Sequence, residues 1–242
     1  MLAPEYPGYG LYNTESPSEE SILNDAELII RYSIEKLGYR EENIILVGRS
    51  LGTGVAARMG AEFTRIRGLI LITPFLSIRE VANSVLGKMI GNYVPNIFRT
   101  REIIWQIKCP LLLIHGIKDR VVPCTNSTFI YDLCLAPKMI YLSLTMEHER
   151  SNFKFDIYLP MLRFFIEKLK MLEFQEQYDT EDIERVPVLS SLDRSLGISL
   201  PDNNHKKLEQ PSDSTQEEIE NKINFSKEEE KEEESPSDWA TI

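Results

Sequence analysis

Cysteine is scarce in this chain. Its 242 residues hold three, Cys109, Cys124 and Cys134, with no CxxC pair and one thiol left over from any pairing. That excludes a disulfide scaffold and a cysteine zinc site, and it suits a reducing compartment. Long apolar runs are missing too: none approaches the roughly 18 residues that span a bilayer. The opening residues Met1 to Pro7 have neither a basic n-region nor an apolar h-region, so no secretory signal is read there. The expectation is a cytoplasmic protein whose only membrane contact is peripheral. Basic excess is also lacking: 38 acidic residues against 27 basic give a net charge of -11, a poor match to phosphate backbones, so no nucleic-acid partner is expected. Histidine is rare, with only His115, His148 and His205.

The charge is unevenly distributed. Residues 1–174 hold 20 Lys/Arg and 19 Asp/Glu, whereas residues 175–242 hold 7 and 19. That second segment is rich in Ser, Glu, Pro and Asn, and from Lys227 to Glu234 it contains six glutamates and two lysines. Such a composition cannot bury enough apolar surface to offset chain entropy, which predicts a disordered acidic tail over 175–242 and a folded body over 1–174, with the boundary near Phe174. Two short apolar clusters in the tail, Val186–Leu192 and Ile219–Phe225, read as solvated linker or as docking segments. No internal repeat is present.

The body alternates between two periods. Ser16-Pro17-Ser18-Glu19 reads as a helix start, with Ser16 as N-cap, Pro17 at N1 and Glu19 closing a capping box. Apolar residues follow at Ile22, Ala26, Ile29, Ile30, Ile34 and Leu37, and Gly38 gives the stop. Short runs apolar on both faces, Asn43–Val47, Leu69–Ile72, Leu111–Ile114 and Met139–Leu144, predict strands of a parallel sheet covered on both sides. Helical stretches lie at Thr53–Phe63, Thr125–Leu135 and Phe155–Leu172, with an irregular insert from Ser77 to Trp105. The pattern predicts an α/β fold with right-handed crossovers.

Gly48-Arg49-Ser50-Leu51-Gly52 is G-x-S-x-G. Alone it is weak, matching by chance in roughly one chain in ten of this length. Its setting, after a strand and before a helix rich in small residues, is that of a nucleophile elbow. There a serine must sit on a tight turn, and Gly48 and Gly52 are needed because a Cβ would collide with the neighbouring strand or helix. A serine hydroxyl needs a base and an orienting group. The body offers two histidines: His115 at a strand end, read as structural, and His148 just past the last strand. Asp119 lies in the loop after its strand. Ser50, Asp119 and His148 thus each follow the carboxyl end of a different strand, where open α/β sheets build their sites. Glu147 and Glu149 flank His148, and if near they would favour its charged form. Arg49 reads as a packing or surface residue, or as a contact for an anionic substrate group.

The elbow GRSLGTG, the segment HGIKDRVVP, the histidine after the last strand and PEYPGYG at residues 4–10 together resemble the α/β-hydrolase superfamily of serine hydrolases. The resemblance runs from about Pro4 to Phe165. It is most marked to the α/β-hydrolase domain-containing 17 group of depalmitoylases, whose short helical lid has a counterpart at Tyr93-Val94-Pro95-Asn96-Ile97. It implies Ser50 as nucleophile, His148 as general base and then acid, Asp119 as the group orienting His148, and the backbone N–H of Leu51 as an oxyanion donor, with no cofactor or metal. It also implies hydrolysis of an ester or thioester through an acyl-enzyme, with palmitoyl-protein thioesterase as the finer version. The substrate would be an acylated protein or a lipid-like ester under an apolar lid spanning about 77–105.

The same resemblance implies eight strands, and this sequence opens at the end of the fourth. An α/β-hydrolase fold lacking its first strands would leave the Ser50 strand as an apolar edge prone to aggregation. It would also lose the loop that supplies a second oxyanion N–H, worth a hundred- to a thousand-fold in rate. Three expectations compete: a truncated reading of a longer gene, a genuine short form, or a rearranged active fold. Against the enzyme stands a catalytically inactive interaction protein that works through its acidic tail.

Overall fold

The computed structural model describes residues 1–12 and 16–171. The chain divides into two units, Met1–Ser199 and Leu200–Ile242. All described residues belong to the first, and the tail expected over 175–242 lies outside them.

Helix α1 (Glu19–Glu35) opens the described body after residues 1–12. Its cap is Ser18 rather than Ser16: the Ser18 hydroxyl accepts from the Ser21 amide at 3.0 Å, and the Ser21 hydroxyl accepts from the Ser18 amide at 3.1 Å. This reciprocal pair satisfies the first-turn donors two residues later than expected. Glu19 is thereby released from capping, and its carboxylate accepts from the Phe98 amide 79 residues away, at 2.6 Å.

Strand β1 (Ile45–Arg49) and helix α2 (Leu51–Glu62) follow, separated by Ser50 alone. The strand begins two residues later than its apolar run suggested, because Glu41–Asn43 form a 3₁₀ turn. After β2 (Gly68–Ile72) the insert is helical rather than irregular, with α3 (Ile78–Leu86), α4 (Lys88–Gly91) and α5 (Thr100–Ile103). The body then runs through β3 (Leu111–Gly116), α6 (Thr125–Leu133) and β4 (Lys138–Ser143). It closes with a π-helical turn, Phe153–Tyr158, that leads into α7 (Leu159–Glu167).

The four strands form one parallel sheet in the order β1-β2-β3-β4. Strand periodicity assigns the faces. Ile70, Ile72, Leu112 and Ile114 pack with Met146 and with Phe164 of α7, while Leu69 points the other way onto Gly60 of α2. Every residue of β2 and β3 is buried, as runs apolar on both faces require. Strand β1 departs from that expectation: it is the edge of the sheet, and Val47 is 53% exposed.

Because all the strands run in one direction, their carboxyl ends share one rim. The main chain just beyond them stays paired: Ser50 N–H donates to Ile72, Thr73 N–H to Ile114 and Ile117 N–H to Ser143. The residues that follow the strands are therefore held at fixed heights above the sheet.

Candidate active site

The turn from β1 to α2 has no room for a spare residue. Ser50 takes φ 48° and ψ -120°, a conformation that L-residues rarely adopt. The Thr53 amide (2.8 Å) and hydroxyl (2.6 Å) both donate to its carbonyl, holding the turn closed. Gly48 is obligatory: a Cβ there would overlap the Gly52 carbonyl and stand 2.8 Å from the Thr53 Cα. Gly52 is less constrained than expected, since its Cβ would meet only the Tyr6 hydroxyl, at 3.3 Å. Leu51 is the first residue of α2, where no preceding turn offers a carbonyl to its amide.

The Ser50 hydroxyl lies 2.9 Å from Nε2 of His148, and Nδ1 of His148 lies 2.7 Å from Oδ2 of Asp119. A carboxylate only accepts, so Nδ1 carries the proton and Nε2 is left to accept from Ser50. The other Asp119 oxygen accepts from the amides of Val121 and Val122 at 2.9 and 2.8 Å. The Asp119 side chain has no solvent exposure. Burial pushes its carboxyl up, but hydrogen bonds from His115, the Val122 amide and His148 outweigh that and hold it at about 2.

His115 stands behind this pair, wholly buried. Its Nε2 donates to the Val122 carbonyl at 2.9 Å, its Nδ1 accepts from the Ser127 hydroxyl at 2.7 Å, and Nε2 is also 3.5 Å from Oδ2 of Asp119. The residue is structural, as expected, and the structure it fixes is the loop that carries Asp119.

The position of His148 is set by Ser143, Asp156 and Gly116, which the sequence did not single out, and by Arg49, which reads from the sequence as a packing or surface residue or as a contact for an anionic substrate group. The Ser143 hydroxyl donates to the buried Asp156 at 2.7 Å and accepts from the amides of Thr145 and Met146. This fixes the first turn after β4. A Cβ on Gly116 would overlap the Met146 carbonyl, so the end of β3 and the His148 turn are in direct contact. Arg49 reaches the carbonyl of His148 at 2.7 Å. Glu149 is 81% exposed with Oε1 3.9 Å from Nε2 of His148, and Glu147 faces solvent. The one sequence cue to the turn was its pair of glutamates.

All three thiols are held in their neutral form. Burial, aided by Cys134, pushes Cys109 up to about 12, and burial also raises Cys124 and Cys134.

The insert that follows β2 is anchored at several points. Ser77 caps α3 by accepting from the Glu80 amide at 3.2 Å, Arg79 donates to the Val94 carbonyl at 3.1 Å, and Glu19 holds Phe98. Val81 and Ile78 pack in one apolar cluster with Leu51, Phe75 and Phe98. Further out, Met89 and Tyr93 are 89% and 90% exposed. A separate cavity of about 380 Å³ lies between α1, α2 and the Phe98–Ile103 stretch. It is lined by carboxylates such as Glu19, Glu27 and Glu62 and does not include Ser50 or His148. No helix among the described residues is long and apolar enough to cross a membrane.

No protein-family model matches the chain. Sequence relatives do. L404 of Acanthamoeba polyphaga mimivirus, named in the α/β-hydrolase class, is 33% identical over 133 residues, covering 54% of this chain and 49% of that protein. The lysophosphatidylserine lipase ABHD12 of Danio rerio is 31% identical over 154 residues, covering 56% and 40%. The α/β-hydrolase domain-containing protein 17C of Xenopus tropicalis is 29% identical over 134 residues, covering 55% and 42%. The chain therefore spans about half, or less, of the length of these relatives. Among solved structures, an α/β-hydrolase from Vibrio vulnificus superposes with a TM-score of 0.53 at 20% identity, covering 61% of this chain and 57% of that one. Mouse α/β-hydrolase domain-containing protein 10 does so at 0.50 and 21%, covering 68% and 76%.

Proposed function

We propose that this chain, whose sequence relatives and fold neighbours are α/β-hydrolases, is a serine hydrolase that cleaves an acyl ester or thioester through an acyl-enzyme. The observation that carries this reading is the unbroken hydrogen-bonded chain from Ser50 through His148 to Asp119, with the serine on a strained strand-to-helix turn.

In the reaction, Ser50 Oγ attacks the acyl carbonyl as its proton passes to Nε2 of His148. Asp119 keeps the imidazole in the accepting tautomer and stabilises the imidazolium. The Leu51 amide donates to the developing oxyanion. The C–O or C–S bond breaks, Nε2 gives its proton to the leaving alcohol or thiol, and water repeats the sequence to free the acid and restore Ser50.

The apolar residues that the insert leaves exposed, Val85, Leu86, Met89 and Ile90, support an acyl chain rather than a sugar or a peptide as the bound group. The resemblance to the 17 group favours an acylated protein thiol, and the lipase name of the zebrafish relative favours a lysophospholipid ester. The exposed lid tip supports peripheral approach to the lipid surface where either substrate resides. From Val81 to Phe98 the lid contains Lys88 and no acidic residue, in a chain whose net charge is -11.

Labelling with a fluorophosphonate tests the reaction class. The full chain is expected to label, and Ser50→Ala to lose all of it. A folded wild-type chain without Ser50-dependent labelling would remove the enzyme and leave the interaction-protein reading. Turnover of p-nitrophenyl esters against acyl thioesters, each over a range of chain lengths, then separates the two substrate classes.

A further inference from the structure

Arg49 immediately precedes the nucleophile, yet its side chain serves the base. From the last position of β1 it crosses to a turn 99 residues away, where Nη2 donates to the main-chain carbonyl of His148 at 2.7 Å. The same nitrogen is 3.8 Å from Oε2 of Glu149, and the other oxygen of that carboxylate is 3.9 Å from Nε2 of His148. One carboxylate thus stands between a permanent cation and the nitrogen that Ser50 uses.

The consequence follows from the charge that develops there. When Nε2 takes the Ser50 proton, the imidazole becomes a cation. A glutamate at liberty beside it would pair with that cation, retain the proton and compete with the leaving group for it. A guanidinium that engages both the His148 carbonyl and Glu149 restrains this carboxylate and pins the base at the same time. The groups facing His148 are few. Asp119 is at Nδ1 with His115 behind it, Ser50 and Glu149 are at Nε2, Arg49 is at the carbonyl, and Glu147 on the same turn faces solvent.

We propose that Arg49 is a positioning residue that clamps the main chain of His148 and holds Glu149 away from Nε2. Its catalytic consequence rests on the hydrolase reading above, but its effect on the His148 imidazole does not.

The test is an NMR titration of the His148 Cε1–H signal in the full chain, assigned by comparison with His148→Gln. Arg49→Gln removes a cation and releases an anion, so the midpoint is expected to rise by roughly 0.5–1 pH unit. Glu149→Gln is expected to lower the midpoint slightly in the wild-type background and distinctly more in the Arg49→Gln background. Arg49→Lys keeps the charge but cannot reproduce the guanidinium contacts with both the His148 carbonyl and Glu149, so it should show part of the Arg49→Gln rise. An unmoved midpoint in Arg49→Gln, or strictly additive effects of the two substitutions, overturns the proposal. If Arg49→Gln does not fold, Arg49→Lys and Glu149→Gln carry the test: Glu149→Gln must lower the midpoint, and a larger drop in the Arg49→Lys background would show that the guanidinium was restraining it. Steady-state kinetics add the catalytic readout: kcat should fall about tenfold in Arg49→Gln with KM little changed, and Glu149→Gln should restore part of it. A wild-type chain with the expected titrations but no Ser50-dependent turnover would sink the hydrolase reading and leave the Arg49 clamp standing.

Discussion

Ser50 is held in a backbone conformation that costs on the order of 1–3 kcal/mol, and the surrounding hydrogen bonds and the absence of a Cβ on Gly48 leave it no alternative. The strain lifts the hydroxyl off the helix and onto Nε2 of His148. Asp119 completes the arrangement by fixing which nitrogen accepts. Asp119→Asn keeps the shape but can present an amide donor to Nδ1, which favours the wrong tautomer. Ser50-dependent esterase activity is expected to fall roughly 10⁴-fold in protein that stays folded, its unfolding temperature lowered by the loss of the buried charge; a loss of tenfold or less in a kcat assay would show that Asp119 does not orient the base. These three residues could be read from the sequence because each follows a strand whose apolar run is unmistakable. Ser143 and Asp156 could not, and Arg49 reads from the sequence only as a packing or surface residue or as a contact for an anionic group. Arg49 meets its partner across 99 positions, and Ser143 and Asp156 are linked by side chains around a turn that no periodic pattern marks.

Among the elements, the strands and α2 follow directly from period and composition, whereas the helix start at Ser18 does not. Two serines three residues apart cap each other there, and the preceding Ser-Pro mimics the same signal two positions earlier. The insert also hides its regularity. Its helices are short, and they are held by Glu19, by the Arg79 bond to Val94 and by the close fit of Gly91 on Asn83 rather than by propensity. The apolar stripe of α3 starts at Ile78 and Val81 in the core and emerges at Val85 beside the exposed Met89 and Tyr93. If this tip meets lipid, the full chain should co-sediment with phosphatidylcholine vesicles and more strongly when phosphatidylserine is included. Met89→Asp with Tyr93→Ser should abolish sedimentation while sparing fluorophosphonate labelling at Ser50. Equal sedimentation of the wild type and the double variant would place the contact elsewhere, and concentration-dependent dimerisation lost in the variant would instead identify a second copy as the occupant.

For the whole molecule, the parallel order of the sheet was legible because β2 and β3 are apolar on both faces. The exposure of Val47 was foreseeable only from the resemblance, since the β1 run reads like its neighbours. The net charge of -11 says little about the site, where the buried carboxyl of Asp119 is held well below its ordinary value. Asp119 sits at about 2 in the folded protein, against about 3.9 in an unfolded chain. Its folded-state value is depressed, so its contribution is fully present above about pH 4 and is lost as the pH falls towards 2. The size of that contribution is about 2–3 kcal/mol. The many other carboxylates also titrate in this window, but they are common to the wild type and Asp119→Asn and cancel in the difference between them. Urea unfolding of both proteins at intervals from pH 5 to pH 2.5 isolates the group: relative to Asp119→Asn, the wild type should lose most of this 2–3 kcal/mol across the window. A difference that stays constant with pH would mean that the folded protein does not hold Asp119 as a buried carboxylate, and with it would go the charge on which the orientation of His148 depends.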